Sequence, residues 1–359
     1  MAAALDEIER EALASLPKMV ADYFAGGARD EVTLRANRTA WDALRLHHRV
    51  LVDVSTVDTS VAVPGGRSAT PVIVAPTAFH GLAHRQAELA TAAGVRAAGG
   101  AMCLSTLSNA PVEEVVAAAG TAPVLFQLYV YKDRGATTAI IERARAAGCR
   151  ALMVTVDAAV LGTRERDVHN GFHLPAHLLL PNAAPSGSQV PAAGGESGLA
   201  RYVADQLDQS LSWSDLDPIV ETAGLPVWVK GIVRGDDAAR AAELGVAGIV
   251  VSNHGGRQLD RGVPTVEALP AVVAAVDGRC PVWVDGGIRR GTQVAMALAL
   301  GASAVMVGRP VLWGLAVGGA DGVRDVLLQL QTELVEAMGL LGAPTVAHLT
   351  PDLVSRRCP

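Results

Sequence analysis

Residues 248–260 read GIVVSNHGGRQLD. A short apolar run passes without interruption into a polar cluster holding a histidine, two glycines and an arginine. A half-exposed strand would alternate apolar and polar residues, so a continuous β-branched run predicts a strand buried on both faces. Strands of that kind belong to parallel sheets covered by helices. The flanks agree. Upstream, DDAARAAEL (236–244) reads as a helix opened by acids, which suit the positive end of the helix dipole. Downstream, 266–276 and 291–300 read as two more helices.

Further out, the same unit recurs. PVIVAP (71–76), AMCLS (101–105), VLFQLY (124–129), ALMVTVD (151–157), VWVKG (227–231), GIVVSN (248–253), VWVDGG (282–287) and AVMVGR (304–309) are all short, apolar and nearly continuous. Helical stretches between them make parallel pairing the natural geometry. Eight such units predict an α/β fold, a (β/α)8 TIM barrel. A doubly wound open sheet is disfavoured because no GxGxxG follows the first run.

The reading is one domain over 1–359. Residues 1–70 form an N-terminal extension of two or three helices, including LPKMVADYFAGGA (16–28), and end near the turn VPGG (63–66). The barrel spans 71–340. The wide gap between the fourth and fifth runs has a centre, PNAAPSGSQVPAAGGESG (181–198), rich in Pro, Gly, Ser and Ala. It reads as a lid loop over about 175–215, the usual role of a long connection in a compact domain.

Composition narrows the function classes. Half of the 359 residues are hydrophobic and only 4% aromatic, which suits small aliphatic side chains packed in α/β layers. The net charge is -6 with acids and bases interspersed. No basic stripe is present, so nucleic acid is not an expected partner. Cys103, Cys149, Cys280 and Cys358 stand far apart, with no CxxC pair and no metal-ligand spacing. The first three read as small buried residues, and the absence of a disulfide pattern fits a reducing compartment. MAAALDEIER is acidic and lacks the apolar core of a signal peptide. No run reaches the roughly 18 apolar residues of a membrane span. The expected location is the cytoplasm.

In a barrel of this kind the chemistry stands at the C-terminal strand ends. Those ends carry Pro76, Thr77 and Ala78; Ser105; Gln127 and Tyr129; Thr155 and Asp157, with Arg164 soon after; Lys230; Ser252, His254 and Arg257; Asp285, Gly286, Gly287 and Arg289; and Gly308 and Arg309. DGGIRRG (285–291) and VGRP (307–310) set glycines beside arginines after strands seven and eight, where barrels commonly bind phosphate. Glycine lets backbone N–H groups approach the anion, and arginine offers a bidentate fork. Lys230 ends an apolar run and calls for an anion or an electron-rich partner; a Schiff base and a cation beside a reducible cofactor both satisfy it. His254 is the natural proton acceptor, with Asp157 as its orienting carboxylate. Arg164 and Arg257 beside a base point to a carboxylate-bearing substrate.

SNHGGRQLD (252–260) together with DGGIRRG resembles the signature of the FMN-dependent (S)-2-hydroxy acid oxidases and dehydrogenases. LPKMVADYFAGGA, ANR (36–38), APTA (75–78), FQLYVYKDR (126–134), TVD (155–157), LGTRERD (161–167), VWVKG and VGRP are similar too, so the resemblance covers nearly the whole chain. It implies FMN as cofactor. Its phosphate would lie on Gly287, Arg289, Gly308 and Arg309. Pro76, Thr77, Ala78, Ser105, Gln127, Thr155 and Ser252 would line its ring and ribityl chain, with Asp285 and Gly286 at the ribityl hydroxyls. Lys230 would stand by the edge that becomes negative on reduction. Tyr23, Arg164 and Arg257 would hold the substrate carboxylate, and Tyr129 would meet its hydroxyl. His254 would be the base, taking either the hydroxyl proton or the C2 proton; both routes stay open. O2 would be the acceptor, giving H2O2 and a 2-oxo acid, with a soluble dehydrogenase, a monooxygenase and, more distantly, an FMN barrel isomerase as alternatives. Relatives that act on glycolate place a tryptophan where Leu107 stands, so the resemblance implies a larger pocket, lined also by Phe79 and Leu161, for a longer aliphatic or an aromatic side chain. It implies a homo-oligomer as well, a tetramer or octamer.

Overall fold

The computed structural model describes residues 5–184, 190 and 197–356. Eight parallel strands close into a barrel: β1 (Val72–Val74), β2 (Met102–Ser105), β3 (Val124–Leu128), β4 (Leu152–Thr155), β5 (Val227–Ile232), β6 (Gly248–Val251), β7 (Val282–Asp285) and β8 (Ala304–Val307). β8 pairs with β1 to complete the ring. Every run read as a strand is one, and the helices expected at 236–244, 266–276 and 291–300 are found at Gly235–Glu243, Thr265–Val276 and Gly291–Ala299.

Strand periodicity sorts the side chains. Ile73, Cys103, Leu125, Met153, Trp228, Val250, Trp283 and Met306 form one cluster inside the barrel. The Trp228 and Trp283 rings meet there at 4.2 Å. The other strand positions join a separate cluster with the surrounding helices. Side chains two residues apart share a face. The next inward positions along the chain are therefore Ala75, Ser105, Gln127, Thr155, Lys230, Ser252, Asp285 and Gly308. The same alternation that fills the barrel with apolar groups thus ends, one step later, in a mostly polar layer at its C-terminal mouth. A hairpin of Val61–Val63 and Gly66–Ser68 closes the opposite end, with Val61 and Val63 entering the interior cluster.

Among its described residues the extension holds three α-helices, Leu5–Ser15, Lys18–Ala25 and Val32–Thr39. The first packs on the long C-terminal helix Arg309–Leu341, which is broken at Gly318 and Gly319. Leu44–Leu46 pairs antiparallel with Val354–Arg356, joining the two ends of the chain. Neither strand was expected, since three residues show no period to read. The interval read as a loop, 175–215, is partly helical. Gly198–Gln206 forms a helix, and Trp213–Thr222, opened by a Ser212–Asp215 capping box, begins inside it. Residues 185–189 and 191–196 of that interval lie outside the described residues. Cys103 and Cys149 are buried thiols and Cys280 is half-buried, all three free; Cys358 lies outside the described residues. Among the described residues no helix is long and apolar enough to cross a membrane.

Candidate active site

One cavity occupies the C-terminal mouth of the barrel. Pro76, Thr77, Ala78, Ser105, Lys230, Asp285, Gly286, Gly287, Arg289, Gly308 and Arg309 stand on its wall, as do Tyr23, Leu107, Tyr129, Leu161, Arg164, His254 and Arg257. Asp157, Gln127 and Ser252 stand just behind it and act through hydrogen bonds to its lining. Thr155 opens instead on an adjoining cavity. Phe79 does not reach the wall. The backbone turns left-handed there (φ 63°), and the ring is fully buried between Tyr23, at 5.6 Å, and Phe172, at 6.2 Å. Its expected place in a substrate pocket is corrected to a support beneath Tyr23.

His254 follows β6 in a left-handed conformation (φ 58°), which costs a side chain about 1–3 kcal/mol and is held by its surroundings. Its N–H donates to Ser252 Oγ at 3.1 Å, and its Nδ1 lies 2.9 Å from Asp157 Oδ1. With Nδ1–H given to the carboxylate, Nε2 is the free base. Burial lowers the His254 pKa and outweighs the upward pull of Asp157; Lys230 and Arg164 lower it further. The imidazole is therefore neutral at neutral pH. Burial pushes Asp157 up, but His254 and Lys230 together hold its carboxyl below the usual range.

Lys230 donates to Ser252 Oγ at 2.8 Å and pairs with Asp285 Oδ2 at 3.1 Å. Burial works against its charge, but Asp285 and Asp157 prevail and raise its pKa. It is a fixed cation, which argues against a Schiff-base role. Ser252 Oγ also donates to Asp285 Oδ2 at 2.9 Å. Asp285 Oδ1 and Gln127 Nε2 are buried without a partner.

The substrate-side groups come from four places in the chain. Tyr23 stacks on Phe172 at 4.1 Å and lies under two guanidinium groups, Arg257 at 4.8 Å and Arg164 at 5.9 Å from its centroid. Arg257 is fixed by the carbonyls of Tyr23 (2.6 Å) and Gly26 (3.0 Å). Arg164 is buried 3.8 Å from Asp167, and its Nε has no partner. Burial, then Arg257, brings Arg164 down to about 10. Burial raises the Tyr129 phenol, with Asp157 adding to the shift, so it stays protonated.

At the other end, Arg309 donates to the carbonyls of Phe24, Gly255 and Gly26. That ties the extension to the loop after β6 and leaves two of its five N–H donors free. Burial and the neighbouring Arg257, Arg289 and Arg164 push its pKa well down. Burial likewise lowers Arg289 to about 10 despite Glu9; its Nε makes no hydrogen bond and stands 4.0 Å from Glu9 Oε2. A buried cation depressed by three neighbouring arginines, as Arg309 is, calls for an anion. Beside them, Gly286 and Gly287 adopt φ of 105° and 78°. A Cβ on Gly287 would overlap the Asn37 carbonyl, so only glycine lets the helix Val32–Thr39 press on this turn.

The lining also includes groups the sequence reading missed. Leu199, Val203 and Leu207 come from the helix Gly198–Gln206 and its end, and Phe24 and Leu312 flank the arginines. His80, fully buried, joins its ring nitrogens to Thr77 Oγ1 (2.6 Å) and Thr91 Oγ1 (2.8 Å) and so fixes Thr77 on the wall. A polar residue six positions past the end of β1 was its only signal. A Cβ on Gly256 would stand 2.6 Å from the Leu34 N–H nitrogen, so this glycine admits the extension.

A family model described as FMN-dependent dehydrogenase matches residues 12–356. The chain belongs to that family. An L-lactate oxidase from Nostoc sp. is 52% identical over 342 residues, covering 94% of each chain. Glycolate oxidase 3 from Oryza sativa subsp. indica is 46% identical, covering 98% of this chain and 95% of its own. The crystal structure of mandelate oxidase with (S)-4-hydroxymandelic acid superimposes with a TM-score of 0.94 at 42% identity, covering 99% and 98% of the two chains. The resemblance read from SNHGGRQLD and DGGIRRG therefore holds, and this is an FMN-dependent oxidoreductase of the 2-hydroxy acid oxidase group. Its cavity fits that cofactor. The arginine and glycine end would suit a phosphate, and the unpartnered Asp285 oxygen and Gln127 amide would offer an acceptor for a hydroxyl and a donor for a carbonyl. Among the described residues no His, Cys, Asp and Glu cluster could hold a metal ion.

Proposed function

We propose that this FMN enzyme oxidises (S)-2-hydroxy acids with an aliphatic side chain larger than that of glycolate, passing the electrons to O2. The observation that carries the reading is the grouping of a neutral, carboxylate-oriented His254 with Arg164 and Arg257 in one cavity. Two guanidinium groups over the Tyr23 ring suit a carboxylate, which would accept from them in charge-assisted hydrogen bonds. That anchors C1 and brings the C2 hydroxyl within reach of His254 Nε2 and the Tyr129 phenol. His254 accepts a proton from the substrate, and Asp157 stabilises the imidazolium formed.

FMN, when bound, supplies the two-electron acceptor. Gly287, Arg289, Gly308 and Arg309 would hold its phosphate. Asp285 and Gly286 would meet the ribityl chain, and Pro76, Thr77, Ala78 and Ser105, backed by Gln127 and Ser252, would surround the rest. Lys230 would place its fixed charge where negative charge develops, a preorganised cation of the kind that favours such a change. The side-chain pocket is aliphatic: Leu107, Leu161, Leu199 and Val203 supply no hydrogen bond. Leu107 is nearly fully buried and smaller than a tryptophan, which supports a longer substrate.

The test is anaerobic titration of the holoenzyme with glycolate, (S)-lactate, longer aliphatic (S)-2-hydroxy acids and (S)-mandelate, followed by admission of air. Bleaching of the flavin by aliphatic acids longer than glycolate, then its recovery with one H2O2 per acid consumed, is expected. Bleaching by glycolate or mandelate alone would overturn the substrate reading. Recovery only with an added quinone or other acceptor would overturn the oxidase reading.

A further inference from the structure

Gln258 stands one residue past Arg257 and outside the active-site cavity. It is half-buried between two loops. The loop after β6 carries His254 and Arg257, and the loop after β4 carries Asp157 and Arg164. Both donors and the oxygen of its amide are engaged. Nε2 donates to the carbonyls of Asp157 and Val160 at 2.9 Å each, and Oε1 accepts the Gly162 N–H at 3.0 Å. These partners fix the orientation of the amide, because the reverse would set its oxygen against two carbonyl oxygens.

The groups on the loop after β4 have little else to aim them. The Asp157 carboxylate meets His254 Nδ1 at 2.9 Å, and its Oδ2 is buried without a hydrogen-bond partner. Its direction therefore depends on its backbone. On one side the Val156 N–H donates to the Lys230 carbonyl at 2.9 Å; on the other, the Asp157 carbonyl is held by Gln258. Arg164 is paired loosely, 3.8 Å from Asp167. Gly162, two residues before it, lies flat on the other loop, where a Cβ would overlap the carbonyls of Gln258 and Arg257. That contact sets the spacing of Arg164 and Arg257 over the Tyr23 ring. A site built on loops needs such support behind the groups that do the chemistry.

We propose that Gln258 is a positioning residue of this site: its amide clamps the loop after β4 to the loop after β6, aiming Asp157 at His254 and setting Arg164 beside Arg257. It touches no reacting atom and acts through these four groups. The proposal rests on the role of His254 as base and adds what holds that base and its carboxylate in register.

The experiment compares Gln258→Met with the wild-type enzyme, both loaded with FMN, in steady-state oxidation of (S)-lactate as a function of pH. Methionine keeps the length of the side chain and removes all three hydrogen bonds without adding a charge. kcat should fall by roughly tenfold, the scale of one or two lost hydrogen bonds. The acid limb of kcat/KM should move to lower pH, because an Asp157 turned away no longer draws the His254 pKa upward. Lys230 stays in place, and Arg164, which lowers that pKa less than Asp157 raises it, offsets only part of the change. KM should rise as Arg164 loses its place. In an Asp157→Asn background the same substitution should still raise KM but no longer lower kcat or move the limb down, since residues that act through one another are not additive. Gln258→Asn, which keeps the amide but ends one methylene short, should show the same changes to a smaller degree and serves if the methionine variant does not fold. Asp260→Ala frees the same loop from the Thr33 N–H of the extension instead (2.9 Å), and should leave the acid limb in place. A Gln258 variant with the wild-type limb would overturn the proposal. So would a kcat loss that adds in full to that of Asp157→Asn, or a lower Tm with unchanged kcat and KM. If Asp157→Asn alone leaves kcat and the limb unchanged, the reading of His254 and Asp157 fails, and the proposal with it.

Discussion

At His254 three demands meet in one residue. The left-handed backbone aims the ring, Asp157 holds Nδ1, and burial keeps Nε2 unprotonated at neutral pH. The pH dependence follows from the sign of that shift. The base works when neutral, and its pKa is below the ordinary 6.5, so kcat/KM should hold as pH falls past 6.5 and decline only through the lowered value. Asp157→Asn removes an upward pull on His254. The acid limb should therefore move to still lower pH, while kcat drops because Nδ1–H loses its anionic partner. A limb that stays in place or moves upward in the pH profile of the variant would contradict this coupling. His254, Asp157 and Lys230 were legible because each interrupts or ends an apolar run. Phe79 was misread for the opposite reason: an aromatic residue after a strand end gives no sign of whether the turn carries it into the mouth or under it.

At the scale of elements, the period-two alternation of each strand carries most of the site. Ser105, Gln127, Thr155, Lys230, Ser252 and Asp285 are each two residues beyond an interior apolar residue, so reading the strand also reads the layer above it. The loops after β6 and β7 are placed by the extension. Asn37 and Asn253 exchange amide hydrogen bonds at 2.8 Å each, the Trp41 indole donates to the Gly286 carbonyl at 3.2 Å, and Gly287 lies against Asn37. Gly287→Ala should force these elements apart, costing about 1–3 kcal/mol of stability and weakening FMN binding. Denaturant unfolding and a flavin-release titration check both, and an alanine variant with unchanged midpoint and cofactor affinity would contradict the packing described. The helix Gly198–Gln206 was not legible, because its amphipathic pattern sits beside a stretch rich in Gly, Pro and Ser that reads as loop. Its contribution of Leu199, Val203 and Leu207 to the cavity was hidden with it.

Across the whole molecule, the cavity is where separate parts of the chain meet: the extension through Tyr23 and Phe24, the barrel through its strand ends, and the helix Gly198–Gln206. Buried arginines facing one another there are a liability that an anion relieves. FMN should thus act as a structural as well as a chemical component. Loading the apoprotein at about 100 times the dissociation constant should add about 2.7 kcal/mol, seen as a higher Tm. Equal melting temperatures with and without FMN would contradict that. The barrel itself was legible from eight runs and their spacing. The pairing of Leu44–Leu46 with Val354–Arg356 was not, because contacts between the two ends of a chain leave no local pattern.

The most direct test of the account is the anaerobic rate of flavin bleaching by (S)-2-hydroxyoctanoate and (S)-lactate in the wild-type enzyme and in His254→Asn. The account predicts that the variant keeps its FMN and its visible flavin spectrum, while bleaching slows by about 10²- to 10⁴-fold, the usual contribution of a general base. A variant that bleaches at the wild-type rate, or that loses its FMN, would show that His254 is not the proton acceptor of this site.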